Sequence, residues 1–232
     1  DLVTICTPII SLDLETTGLD PTKHVPWEIA WTTAIHFEGG TQRELHICDS
    51  YQAFLAGVDD AACDPVGLDV GGFHRRYPQT TNTDARNAAK RRKRAAARQG
   101  IRPWHAVQQA LVAHLDQVVD AAAHRWREAN PNTYPTSADV YRVHLVGAVP
   151  QFDNRMLERW LGWSHSLWHY HLIDVETLIA GRLGIRPPFD TDEMTRLALG
   201  DDWNDSRKHE AAADVEWNLA LYARAYDLAI IR

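Results

Sequence analysis

Cysteine is scarce in this chain of 232 residues, which has three, at positions 6, 48 and 63. They show neither paired spacing nor metal-knuckle spacing, which argues against a disulfide framework and predicts a reducing, cytoplasmic setting. Long apolar runs are absent as well. None reaches the ~20 residues that a membrane span needs, so no membrane partner is expected. The opening Asp1-Leu2-Val3-Thr4-Ile5-Cys6 lacks a basic flank and reads as a strand rather than a signal peptide. The chain has no initiator Met there, which reads as a chain cut or trimmed. No internal repeat is visible. What is present is a globular composition, 45% hydrophobic and 24% charged, which excludes wholesale disorder. One α/β domain over residues 1–232, large enough to bury roughly 70% of its unfolded surface, is the natural expectation.

Basic residues are outnumbered, 24 against 31 acidic, for a net charge of −7. Their distribution carries more than the total. The stretch 86–98 (RNAAKRRKRAAAR) holds seven basic residues and no acid, leaving 17 basic against 31 acidic elsewhere. An acidic body repels a polyanion unless cations sit among its carboxylates, whereas the basic stretch attracts one. Alanine and arginine favour helix, so 84–99 is expected to be an exposed helix with Arg86, Lys90, Arg94 and Arg98 along one face.

Apolar alternation predicts a first strand over 2–14, a second over Glu28–Phe37 and a third over Glu44–Cys48, joined as a meander. Pro103 opens a long helix with Val107, Leu111, Leu115 and Val118 at helical spacing. The second half alternates: a strand at 140–149, a helix at Phe152–Leu161, a short strand at Tyr170–Ile173, helices at Val175–Leu183 and Thr191–Leu199, and a long helix at Glu210–Ile230. The expectation is a mixed five-stranded sheet, three strands in a meander and then two parallel ones, flanked by helices.

Several acids stand where such elements do not need them. Asp13 and Glu15 flank Leu14 in an apolar strand, and residues two apart share a face, so the two carboxylates project side by side. Adjacent anions repel, and one protonates unless a cation sits between them; a hard divalent ion with oxygen ligands is the simplest remedy. Two solvated acids at a strand end would give the same spacing. Asp153 opens the helix after the fourth strand, a place an N-terminal acid fills without chemistry. His209 and Asp214 lie five residues apart at the start of the last helix. That separation places them on different faces, so they converge only if His209 lies at or before the first turn.

The ordered set is D-x-E on the first strand, an Asp after the fourth and H-x4-D at the last helix. In this order, and through Ser11-Leu12-Asp13-Leu14-Glu15-Thr16-Thr17-Gly18-Leu19, Phe152-Asp153-Asn154-Arg155-Met156-Leu157 and His209-Glu210-Ala211-Ala212-Ala213-Asp214, the chain resembles the DEDDh, or DnaQ-like, 3′–5′ exonucleases of the ribonuclease H-like superfamily. The resemblance runs over about residues 3–225, includes Ile173–Leu178 as the fifth-strand segment, and leaves 64–102 as a basic insertion. One departure is Ala148-Val149, where the family commonly carries His-Asn.

The resemblance implies two divalent ions, Mg²⁺ or Mn²⁺, held by Asp13, Glu15, Asp153 and Asp214, with His209 as general base releasing 5′-mononucleotides. It also implies that Thr16, Thr17 and Leu19 meet the 3′-terminal nucleotide of a single strand, and it offers a DNA polymerase as a partner, as for the family's proofreading members. A catalytically silent nucleic-acid-binding module and an RNA-trimming enzyme are the alternatives. From the charge pattern, Lys90, Arg91 and Arg94 are expected to contact the nucleic-acid backbone, adding affinity without sequence readout. His165, His169 and His171 invite a zinc reading, but no cysteine or carboxylate is placed to complete a tetrahedral site. Asp174 is expected to cap the helix that follows it.

Overall fold

The computed structural model describes residues 4–58, 63–77, 100–131, 142–162, 167–203 and 207–232. Strand β1 (Ile5–Thr16) pairs antiparallel with β2 (Pro26–Gly39), and β2 with β3 (Gln42–Leu55), forming the expected meander with longer strands than the alternation suggests. Helices α1 (Pro65–Val70) and α2 (Phe73–Arg76) follow, then the two-residue β4 (Ile101–Arg102) and the long α3 (Trp104–Ala129). The second half comprises β5 (His144–Gly147), α4 (Pro150–Leu161), β6 (Ile173–Asp174), α5 (Val175–Leu183), α6 (Thr191–Leu199), α7 (Ala211–Tyr226) and β7 (Ala229–Ile231). Strands β5 and β6 run parallel beside β1, giving the order β3-β2-β1-β5-β6 for the five expected strands.

Two short strands extend that sheet to seven. Both β4 and β7 add in parallel to β3, at its two ends. Strand β7 occupies residues expected to continue the last helix. That helix stops instead at Asp227, which takes a left-handed conformation (φ 54°, ψ 44°) as Leu228 N–H returns to the Ala223 carbonyl.

Alternation along β1 sorts its side chains between two cores. Ile10, Leu12 and Leu14 face α3 and α4, meeting Leu111, Leu115, Met156 and Leu157. Ile9 faces α5, α6 and α7, meeting Val175, Met194, Val215 and Leu219. The even positions of β2 share this second side, and small Ala30 and Ala34 let α7 lie close. Removing one fully buried member such as Leu111 to alanine costs about 2–5 kcal/mol. A third cluster of Trp27, Leu68 and Phe73 seats α1 and α2 on the end of the sheet. Among the described residues no helix is long and apolar enough to cross a membrane.

Candidate metal centre

The row that begins with Ile9 on β1 continues through Ser11 to Asp13 and Glu15, where it becomes half-buried beneath the N-terminus of α7. Ser11 Oγ donates to the Val215 carbonyl at 3.4 Å, tying β1 to that helix. Alanines 211–213 allow the approach. One carboxylate oxygen each from Asp13, Glu15 and Asp214 lies within 4.8 Å of the others.

Asp153, 4% exposed, stands just behind these three. It lies outside the 4.8 Å group, but its charge acts on Asp13. The pairing of β5 with β1 covers only Ile9–Ser11, so the Leu14 N–H lies beyond it, and the Asp153 carboxylate accepts from that N–H. Val149, ahead of α4, is held in the left-handed region (φ 48°, ψ 49°), where a β-branched residue is strained and an asparagine would be tolerated.

His209 is exposed and precedes α7 rather than lying in it. Its φ of 63° turns the chain so that its own N–H donates to Asp214 Oδ2 at 3.1 Å. His209 and Asp214 therefore border one cleft of about 300 Å³ with Asp13, Ala148 and Asn218, although they are too far round a helix to share a face.

Two participants carry no sequence signature. Glu28 on β2 is fully buried directly across from Glu15 in the sheet register, so their side chains share a face. It accepts from Gln52 Nε2 at 2.7 Å, from the Ala211 N–H and from Arg76, with which it forms an ion pair. An acid opening an apolar strand was the available hint for Glu28. Nothing local marks Arg76.

The electrostatics follow from this crowding. Burial, then the charges of Asp153, Asp214, Glu15 and Glu28, push Asp13 well above the usual carboxylate range. Burial, then Asp214 and Glu28, push Glu15 up to about 8, with Arg76 opposing. Burial raises Asp153 well, against the pull of the Leu14 N–H. These carboxylates fit a hard cation: an all-oxygen donor set whose repulsion such an ion removes. Asn218, one turn beyond Asp214 and 1% exposed, adds a second sign, since among the described residues neither end of its amide finds a partner while it lines the same cleft. A buried orphan of this kind marks a place for water or an ion.

The other expected residues fall as follows. Thr16 and Thr17 are buried: the Thr16 hydroxyl donates to the Gly18 carbonyl at 2.9 Å and the Thr17 hydroxyl accepts from the Val25 N–H at 3.0 Å. Leu19 stands 79% exposed at the end of that turn. Asp174 caps α5, accepting from the Glu176 and Thr177 N–H groups. His171 N–H donates to His169 Nδ1 at 3.1 Å, and among the described residues no histidine joins a metal-binding group. The basic stretch with Lys90, Arg91 and Arg94, and His165, lie outside the described residues.

Among solved structures the chain is similar to the zinc-bound complex of E. coli exonuclease I with single-stranded DNA, with a TM-score of 0.50 at 13% identity over 95% of this chain and 40% of that one. The fold is ribonuclease H-like. A moderately thermophilic exonuclease I from Methylocaldum szegediense (TM-score 0.47, 16% identity, 95% of this chain and 40% of that one) and E. coli exonuclease I with a dA16 oligonucleotide (0.47, 15%, 95% and 42%) are also similar. The chain spans about two-fifths of the length of these exonucleases. No protein-family model and no curated protein matches the sequence.

Proposed function

We propose that the chain is a divalent-metal-dependent 3′–5′ exonuclease of the DEDDh type, acting on the 3′ end of a single nucleic-acid strand. The observation that carries this reading is the convergence of Asp13, Glu15 and Asp214 from β1 and α7 within 4.8 Å, with His209 on the same cleft. The similarity in fold to exonuclease I, whose structure holds single-stranded DNA, agrees with it.

Asp13, Glu15 and Asp214 would hold the ions, with Asp153 supporting from behind. Two divalent ions there, Mg²⁺ or Mn²⁺, would neutralise the phosphoryl oxygens and lower the pKa of the attacking water. His209, solvent-accessible beside Asp214, takes the proton of that water as it attacks the terminal phosphodiester in line. The 3′-oxygen of the preceding nucleotide leaves and a 5′-mononucleotide is released. Leu19, exposed at the end of its turn, would pack against the terminal base. The Thr16 and Thr17 hydroxyls serve by stiffening the turn that presents it.

The test is incubation of 3′-labelled single-stranded DNA, duplex DNA and RNA with the wild-type chain and Asp13→Ala, with Mg²⁺, Mn²⁺ or EDTA. Labelled mononucleotide release by the wild type, lost with EDTA and with the substitution, is the expected result. Binding of nucleic acid without release under any metal overturns it in favour of a silent binding module.

A further inference from the structure

We propose that Arg76 is the positioning residue of this site, holding His209 beside the carboxylates through one guanidinium that bridges β2 to the turn ahead of α7. The inference rests on the nuclease reading above, because it assigns the means by which His209 is kept in place for it.

His209 needs such a device. It lies outside any helix, exposed, at a φ of 63° that a non-glycine residue holds only when its surroundings impose it. Three backbone groups in its turn are anchored, each by a charged side chain. The His209 N–H donates to Asp214, the His209 carbonyl accepts from Arg76 Nη1 at 2.6 Å, and the Ala211 N–H donates to Glu28. Glu28 and Arg76 are themselves an ion pair, so two of the three anchors form one unit.

Arg76 is in turn well fixed. Its Nη1 also donates to the Gly71 carbonyl at 3.0 Å, its guanidinium carbon lies 5.3 Å from the centre of the Trp27 ring, and its side chain is 15% exposed. The planar fork reaches two carbonyls and a carboxylate at once. A lysine ammonium keeps the charge against Glu28 but not that geometry. Removing the charge altogether would leave Glu28 buried and unpaired, which threatens folding itself, so Arg76→Lys is the informative variant.

The experiment compares wild type, Arg76→Lys, His209→Ala and the double variant. Its readouts are the thermal midpoint, Mn²⁺ affinity by calorimetry, kcat and KM on 3′-labelled single-stranded DNA, and amide exchange at His209 by NMR. In Arg76→Lys the fold and Mn²⁺ affinity are expected to hold, with KM changed little. Expected too are a fall in kcat of roughly 10- to 100-fold and faster exchange of the His209 amide. The double variant should be no slower than His209→Ala alone. Wild-type kcat and wild-type His209 exchange in a folded Arg76→Lys chain overturn the proposal. So does a loss of Mn²⁺ affinity as large as the loss of kcat, which would place the action of Arg76 on the carboxylates instead. If the wild type releases no nucleotide from any substrate while Arg76→Lys still loosens the His209 amide, the nuclease reading fails and the positioning role stands.

Discussion

Near the C-terminal end of α7, the Tyr222 hydroxyl lies 2.8 Å from Nδ1 of buried His36, whose Nε2 is 2.8 Å from Glu38, itself 3.3 Å from Arg43. At the N-terminal end of the same helix, Asp13, Glu15 and Asp214 gather within 4.8 Å, with the charge of Asp153 and the Glu28–Arg76 ion pair acting on them. Burial raises the Tyr222 phenol and lowers the His36 imidazolium, so both are held neutral and each satisfies the other. At the acidic end the neighbouring charges mostly repel instead. The buried Tyr222–His36 pair is satisfied by complementary groups, whereas the neighbouring carboxylates mostly raise one another's pKa, a repulsion that a hard cation would remove.

The widest gap between the two ends should open with Asp13→Asn. Divalent-ion affinity and nucleotide release are expected to fall on the order of a hundredfold or more, while the metal-free thermal midpoint rises as a source of repulsion is removed. Calorimetry and a melting curve report both, and a lowered midpoint would mean that the acids stabilise the fold without metal. A step down in size is Gly71→Ala. Its new methyl would lie 2.6 Å from Glu15 Oε2, a carboxylate end that can move aside, and 3.0 Å from the buried Trp27 ring, so Mn²⁺ affinity should drop roughly tenfold with a modest fall in thermal midpoint. Unchanged affinity would remove Glu15 from the ligand set.

The two ends should also answer pH with opposite sign. Glu15 titrates near 8 in the metal-free fold against about 4.5 unfolded, so the native state keeps a proton that the unfolded chain has lost. Its contribution is complete below pH 4.5 and disappears as pH rises to 8, by up to about 1.4 kcal/mol per unit. His36, lowered from 6.5, contributes stability that is lost as pH falls below that value. Melting curves at a series of pH values should show an alkaline decline that Mn²⁺ or Glu15→Gln abolishes and an acid decline that neither touches. An alkaline decline untouched by either would refute the assignment. Smallest is Tyr222→Phe, which leaves His36 Nδ1 without its partner and should cost about 1–3 kcal/mol while the kcat of nucleotide release stays at the wild-type level.

The meander, the order of helices in the second half and the two-sided core were legible in the sequence because they follow from short-range periodicity. Asp13 with Glu15 was legible for the same reason: a spacing of two on a strand determines a shared face without knowledge of the rest of the chain. His209 and Asp214 required only that the helix begin after the histidine, as it does at Ala211. Glu28 and Arg76 were not legible. The first matters through strand register, being opposite Glu15, and the second through packing of two short helices onto the sheet end, neither of which has a local pattern. Strands β4 and β7, of two and three residues, are too short to show alternation. The left-handed stop at Asp227 lacks the glycine that would have announced it.

Asp13 and Asp214 come from nearly opposite ends of the polypeptide, roughly 200 residues apart, and meet at the same few ångströms. An ion shared by them would close one large loop, as a disulfide does, and large loops gain the most from being closed. Removing that ion with a chelator would then act on this fold as reduction acts on a disulfide, and the resistance of α7 to proteases should track free divalent-ion concentration.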